Sequence, residues 1–99
     1  MRINISIEDL DFLLGSKGYC FVDEKTRAGS DTSLFEYSGG KLMFDGLFHR
    51  DCLVWYNNNH VLGIKFHNNT NGYVHLMDEK SFKDFFAKEL RIIKLNKIV

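Results

Sequence analysis

The sequence predicts an α+β fold: an antiparallel β-meander of five or six strands, a short N-terminal helix, and a C-terminal amphipathic helix packed on the sheet. Three observations carry this. Short β-prone runs recur between Tyr19 and Met77, separated by Gly, Asn, Asp and Ser. Apolar residues recur at helical spacing near the two ends. The chain has 99 residues, 44% of them hydrophobic, which suits one core and a single domain over 1–99.

The elements follow in order. Ser6 is a capping residue with Asp9 in the capping-box position, and Ile7, Leu10, Leu13 and Leu14 line one face. A helix over 7–14 is expected, stopped by Gly15. Tyr19 to Val22 reads as a strand, and the polar stretch 23–33 as a surface loop. Leu34–Tyr37 and Lys41–Phe44 read as strands joined by a Ser38-Gly39-Gly40 turn, followed by an Asp45-Gly46 turn. Cys52–Tyr56 is the most β-prone run. Asn57-Asn58-Asn59 turns it into His60–Phe66, and residues 67–72 turn again into Tyr73–Met77. Short connections of this kind force antiparallel pairing. Ser81 and Asp84 then form a second capping box, before the stripe Phe82, Phe85, Phe86 and Leu90. Residues 91–99 alternate weakly and read as an edge strand.

Composition excludes several classes. Thirteen basic residues balance thirteen acidic ones, against a strongly basic nucleic-acid binder or an acidic DNA mimic. The balance is uneven, however. Residues 1–51 hold six basic and nine acidic side chains, and residues 52–99 hold seven and four. No run approaches the roughly 18 apolar residues of a membrane span. Glu8, Asp9 and Asp11 interrupt any signal-peptide pattern, so a cytoplasmic protein is expected. Cys20 and Cys52 are then two reduced, buried thiols.

The run Lys17-Gly18-Tyr19-Cys20-Phe21-Val22-Asp23-Glu24 resembles the ribonucleoprotein octamer of RNA-recognition-motif domains. The resemblance implies that Tyr19 and Phe21 stack on bases. Cys20 and Glu24 depart from the pattern. Sixteen residues before Lys17 are too few for the elements that precede the octamer in that family. A buried strand is the plainer reading. With Lys88, Arg91 and Lys94, these aromatics would form a single-stranded nucleic-acid site.

No catalytic or metal constellation stands out. His49, His60, His67 and His75 show no short metal spacing, although His60 and His67 would converge with Cys52 across a hairpin. His49, His60 and His67 read as solvated turn residues. His49-Arg50-Asp51-Cys52 gathers catalytic residue types, but strand neighbours face opposite ways. No metal, no cofactor and no enzymatic activity are expected.

What remains is surface recognition. Phe48, Arg50, Tyr56 and His60 have the composition of an interface hot spot, with Tyr56 the best exposed of them and Trp55 assigned to the core. The expected function is a protein-binding module that inhibits a larger protein target by steric occlusion, as immunity proteins, antitoxins and phage counter-defence proteins do. Two further readings stand beside it: the nucleic-acid binder above, and a homo-oligomeric accessory protein, such as a homodimer, sharing a sheet edge.

Overall fold

A computed structural model of the chain describes residues 1–26, 31–44, 47–67 and 74–98. The side chains of residues 26, 41–44, 47, 48, 74, 75, 97 and 98 lie outside that description. The element order is β1 (Ile3–Asn4), α1 (Ile7–Ser16), β2 (Cys20–Thr26), β3 (Ser33–Phe44), β4 (Leu47–Asn57), β5 (His60–His67), β6 (Val74–Met77), α2 (Glu79–Phe85) and α3 (Ala87–Ile98). The six strands form one antiparallel sheet in the order β1-β5-β4-β3-β2. β1 and β6 share the far edge of β5: β1 pairs at His60 and Val61, β6 from Ile64 to His67.

Local chemistry explains the element ends. The Ser6 hydroxyl accepts the Asp9 amide at 3.2 Å and starts α1. The helix runs past Gly15 to Ser16, and Gly18 takes the left-handed backbone with φ +88°. The β4–β5 turn is as expected: Asn58 and Asn59 have φ +48° and +61°, between the paired Asn57 and His60. Positive φ at both central residues is the two-residue hairpin geometry that Asn tolerates.

Four expectations are corrected. The 23–33 loop is shorter, because β2 continues to Thr26 and β3 begins at Ser33. Ser38-Gly39-Gly40 is not a turn but an irregularity within β3, with a register shift between Ser38 and Leu42 and Gly39 at φ +91°. The helix after the sheet is capped one turn earlier than Ser81: the Asp78 carboxylate accepts the Ser81 amide at 2.7 Å. Residues 91–98 are helix, not edge strand: α3 continues to Ile98, because Phe86, Leu90 and Ile93 at i, i+4 and i+7 all pack on the core. The Asp45-Gly46 and 67–72 turns fall on residues outside those described, except His67, which ends β5.

The core lies between one face of the sheet and the helices. Phe35, Tyr37, Cys52, Val54, Tyr56, Val61, Ile64, Phe66 and Met77 meet Leu10, Leu13 and Leu14 of α1, Phe82 of α2 and Phe86 between α2 and α3. The helices are tied to each other by Lys17, whose Nζ lies 3.0 Å from Glu89 Oε1 and 4.7 Å from the centroid of the Phe85 ring.

Candidate functional site

Strand alternation fixes which residues look away from the helices. Leu34, Trp55 and Gly63 pair across β3, β4 and β5, and Glu36, Leu53, Lys65 and Leu76 pair across β3 to β6. Their neighbours Phe35, Val54 and Ile64 are buried in the core, so these two rows form the outer face. The buried apolar residues of the described helices, Leu10, Leu13, Leu14 and Phe82, all belong to the core on the other face. Leu34, Leu53 and Trp55 are half-buried, and Leu76 is 71% exposed. Trp55 lies across Gly63: a Cβ placed on that glycine would come within 3.5 Å of Trp55 Cε3. The indole covers backbone that a side chain would otherwise shield.

Beside Trp55 the outer face opens into a groove of about 550 Å³ that reaches past β5 to the core residues Ile64 and Met77. It forms where β1 stops and β6 begins along β5. Trp55, Leu62 and Leu76 supply apolar wall, while Arg2, Asp78 and Glu79 supply charge of both signs. An apolar centre with a charged margin is the anatomy of a protein interface.

The residues singled out in the sequence do not converge. Arg50 is exposed near the start of β4, and His60 is half-buried at the start of β5, opposite Asn57. Seven residues of strand, at about 3.3 Å each, hold the two ends roughly 23 Å apart. Tyr56 is not exposed. It is buried on the core face, and its hydroxyl donates to the Ile5 carbonyl at 2.6 Å. Burial, with the Glu8 carboxylate adding to it, pushes the Tyr56 phenol up. The His60 ring donates from Nδ1 to the Asn58 carbonyl at 2.7 Å, which braces the hairpin. The Phe48 side chain lies outside the described residues; its backbone pairs with Met43.

The octamer divides in two. Tyr19 is buried against Phe66, with its hydroxyl donating to the His49 carbonyl at 2.7 Å, so its ring is closed to a base. Phe21 is 52% exposed. Lys88, Arg91 and Lys94 all point outward on α3. His49 is not a solvated turn residue but fully buried in β4, beside Phe66. Cys20 is exposed on the edge strand, whereas Cys52 is buried and its thiol is pushed up by burial, with Asp51 adding to it. His67 follows Phe66 and so faces away from the core, and Cys52 faces into it; the two do not converge. Among the described residues no three His, Cys, Asp or Glu side chains gather as metal ligands, and no helix is long and apolar enough to cross a membrane.

Trp55, Leu53, Leu34 and Leu76 were missed as a site, although the sequence held the signal. Cys52-Leu53-Val54-Trp55-Tyr56 is apolar at every position, the pattern of a strand covered on both faces. The described helices pack their buried apolar residues on one of those faces. No family model, curated protein or solved structure matches this chain.

Proposed function

We propose that this chain is a small protein-binding domain that recognises a larger partner protein through the outer face of its sheet. It acts by covering the partner's surface. The observation that carries the reading is the Cys52–Tyr56 stretch of the central strand β4, apolar on both faces while the buried apolar residues of the described helices pack on one. The second face needs a cover, and its features suit a protein. Trp55 is an aromatic anchor of the type that dominates binding energy. Arg2, Lys65, Asp78 and Glu79 around it offer charges of both signs to a mixed surface rather than to a polyanion.

The experiment is affinity isolation of the tagged chain from its native host, run in parallel with Trp55→Ala and Leu76→Glu. Both positions lie outside the core. Support is one stoichiometric protein held by the parent and by Arg91→Glu, on the helix side, but lost from both face variants with their circular dichroism unchanged. A partner retained by both face variants would overturn the assignment. So would a mass that rises with concentration in the purified chain and falls in Leu76→Glu, which would make a second copy the cover.

A further inference from the structure

A second groove lies on the helix side of the sheet and is independent of the Trp55 surface. It runs between α1 and β2, the edge strand, which among the described residues pairs only with β3. Its volume is about 170 Å³, and it is lined by Ile7, Asp11, Phe21, Glu24, Phe35 and Tyr37. That is below the roughly 300–1,000 Å³ of small-molecule sites and suits one side chain.

The lining has a specific chemistry. Phe21 packs edge-on against Phe35 and Tyr37, with ring centroids 6.1 and 5.7 Å apart, and half of it remains open to solvent. Two carboxylates flank this aromatic floor. Strict alternation would not bring Glu24 to the same face as Phe21, three residues away. A bulge between Phe21 and Asp23 does so: Phe21 pairs with Tyr37 and Glu24 with Phe35, both core-facing residues. Re-aiming a side chain is a common use of such bulges. Asp11 is held from the other side, because the Tyr37 hydroxyl donates to its Oδ1 at 2.5 Å. Burial, then the Asp11 carboxylate, pushes the Tyr37 phenol far up, so the donor persists through neutral and mildly alkaline pH. Among the described residues no Lys or Arg pairs with Asp11 or Glu24.

We propose that this groove receives a Lys or Arg side chain from an extended basic segment of a partner protein. The alkyl stem packs on Ile7 and the open part of Phe21, as long cationic side chains do on apolar surface. The charged head reaches the two carboxylates, and the neighbouring ring adds attraction for a cation. The rest of the segment lies along the outer edge of β2, which is unpaired among the described residues. The acid excess of residues 1–51 finds its place here, since α1 and β2 both come from that half.

The test is fluorescence anisotropy with a short dye-labelled peptide alternating Lys and Val, and matched peptides carrying Gln or Glu for Lys. The Lys peptide is expected to bind saturably and to weaken in high salt, and the others not to bind. Asp11→Asn combined with Glu24→Gln should weaken it about tenfold, as loss of two charge-assisted contacts does. Asp11→Asn keeps an acceptor for Tyr37, and Glu24 is exposed, so the fold survives. Phe21→Ala should weaken binding too, and Trp55→Ala should leave it unchanged. Absence of saturable binding, equal binding of the Gln peptide, or full affinity in the double variant would each overturn the proposal. So would spermidine binding as tightly as the peptide, since that would need no chain segment.

Discussion

Gly40 lies against the ring of Tyr19 so closely that a Cβ on Gly40 would stand 2.3 Å from the ring carbons. The ring has nowhere to go. It is buried, packed 5.7 Å from Phe66 between centroids, and tied at its hydroxyl to the His49 carbonyl. This contact joins the start of β2 to the irregular middle of β3. It also turns the first aromatic of the octamer into a core residue.

Gly40→Ala is therefore expected to destabilise the fold by about 1–3 kcal/mol, the cost of overpacking. Gly15 is the control. It sits inside α1, where a Cβ would meet nothing within 4 Å beyond the backbone of its own helix. Gly15→Ala should stabilise by up to about 1 kcal/mol through helix propensity. Urea unfolding of the two variants checks both signs.

The two thiols should react in sequence. Cys20 is exposed and Cys52 is fully buried with its thiol pushed up. A thiol reagent is expected to label Cys20 in the native protein, and Cys52 only with denaturant. Cys20→Ser should leave a native protein inert to the reagent. Rapid labelling of both thiols without denaturant would contradict the packing of β4.

The Lys17–Glu89 pair gives a pH dependence. Burial alone pushes the Glu89 carboxyl up, but the hydrogen bond from Lys17, a backbone hydrogen bond, the Lys17 charge and Ser16 outweigh it and hold the group below its usual 4.5. Folding thus favours the ionised form. Its contribution is present above pH 4.5 and is lost as pH falls through the lower, folded value. Lys17→Met leaves a nearly buried carboxylate without its cation and should cost about 1–3 kcal/mol at neutral pH. The gap from the parent should close in acid. Denaturant midpoints at neutral and acid pH measure it, and a gap that widens in acid would contradict the pairing.

Much of the fold was legible because local signals agreed with the tertiary ones. Ser6, the Asn58-Asn59 turn and the Phe82, Phe86, Leu90 stripe each carry their own chemistry and act accordingly. The errors came where two local readings compete. Gly39-Gly40 reads as a turn, yet Gly40 is needed for close approach to Tyr19 rather than for chain reversal. Ile93 and Leu95 alternate like a strand, while Leu90 and Ile93 also fit a helix, and packing on the core decides. The candidate site was less legible. Hot-spot composition near turns pointed to Tyr56, but its hydroxyl found the Ile5 carbonyl, 51 residues away in sequence. Such a contact has no local signature. The better guide was the stretch Cys52–Tyr56 of β4, too apolar for a strand with one wet face.

Site-specific photocrosslinking tests the central claim most directly. A photoreactive residue at position 76 reports on the outer face, and one at position 91 on the exposed side of α3. Irradiation in the native host should give one heavier product from position 76, containing this chain and a larger protein, and none from position 91. A product from position 91 alone, or a product from position 76 made only of two copies of this chain, would contradict the account.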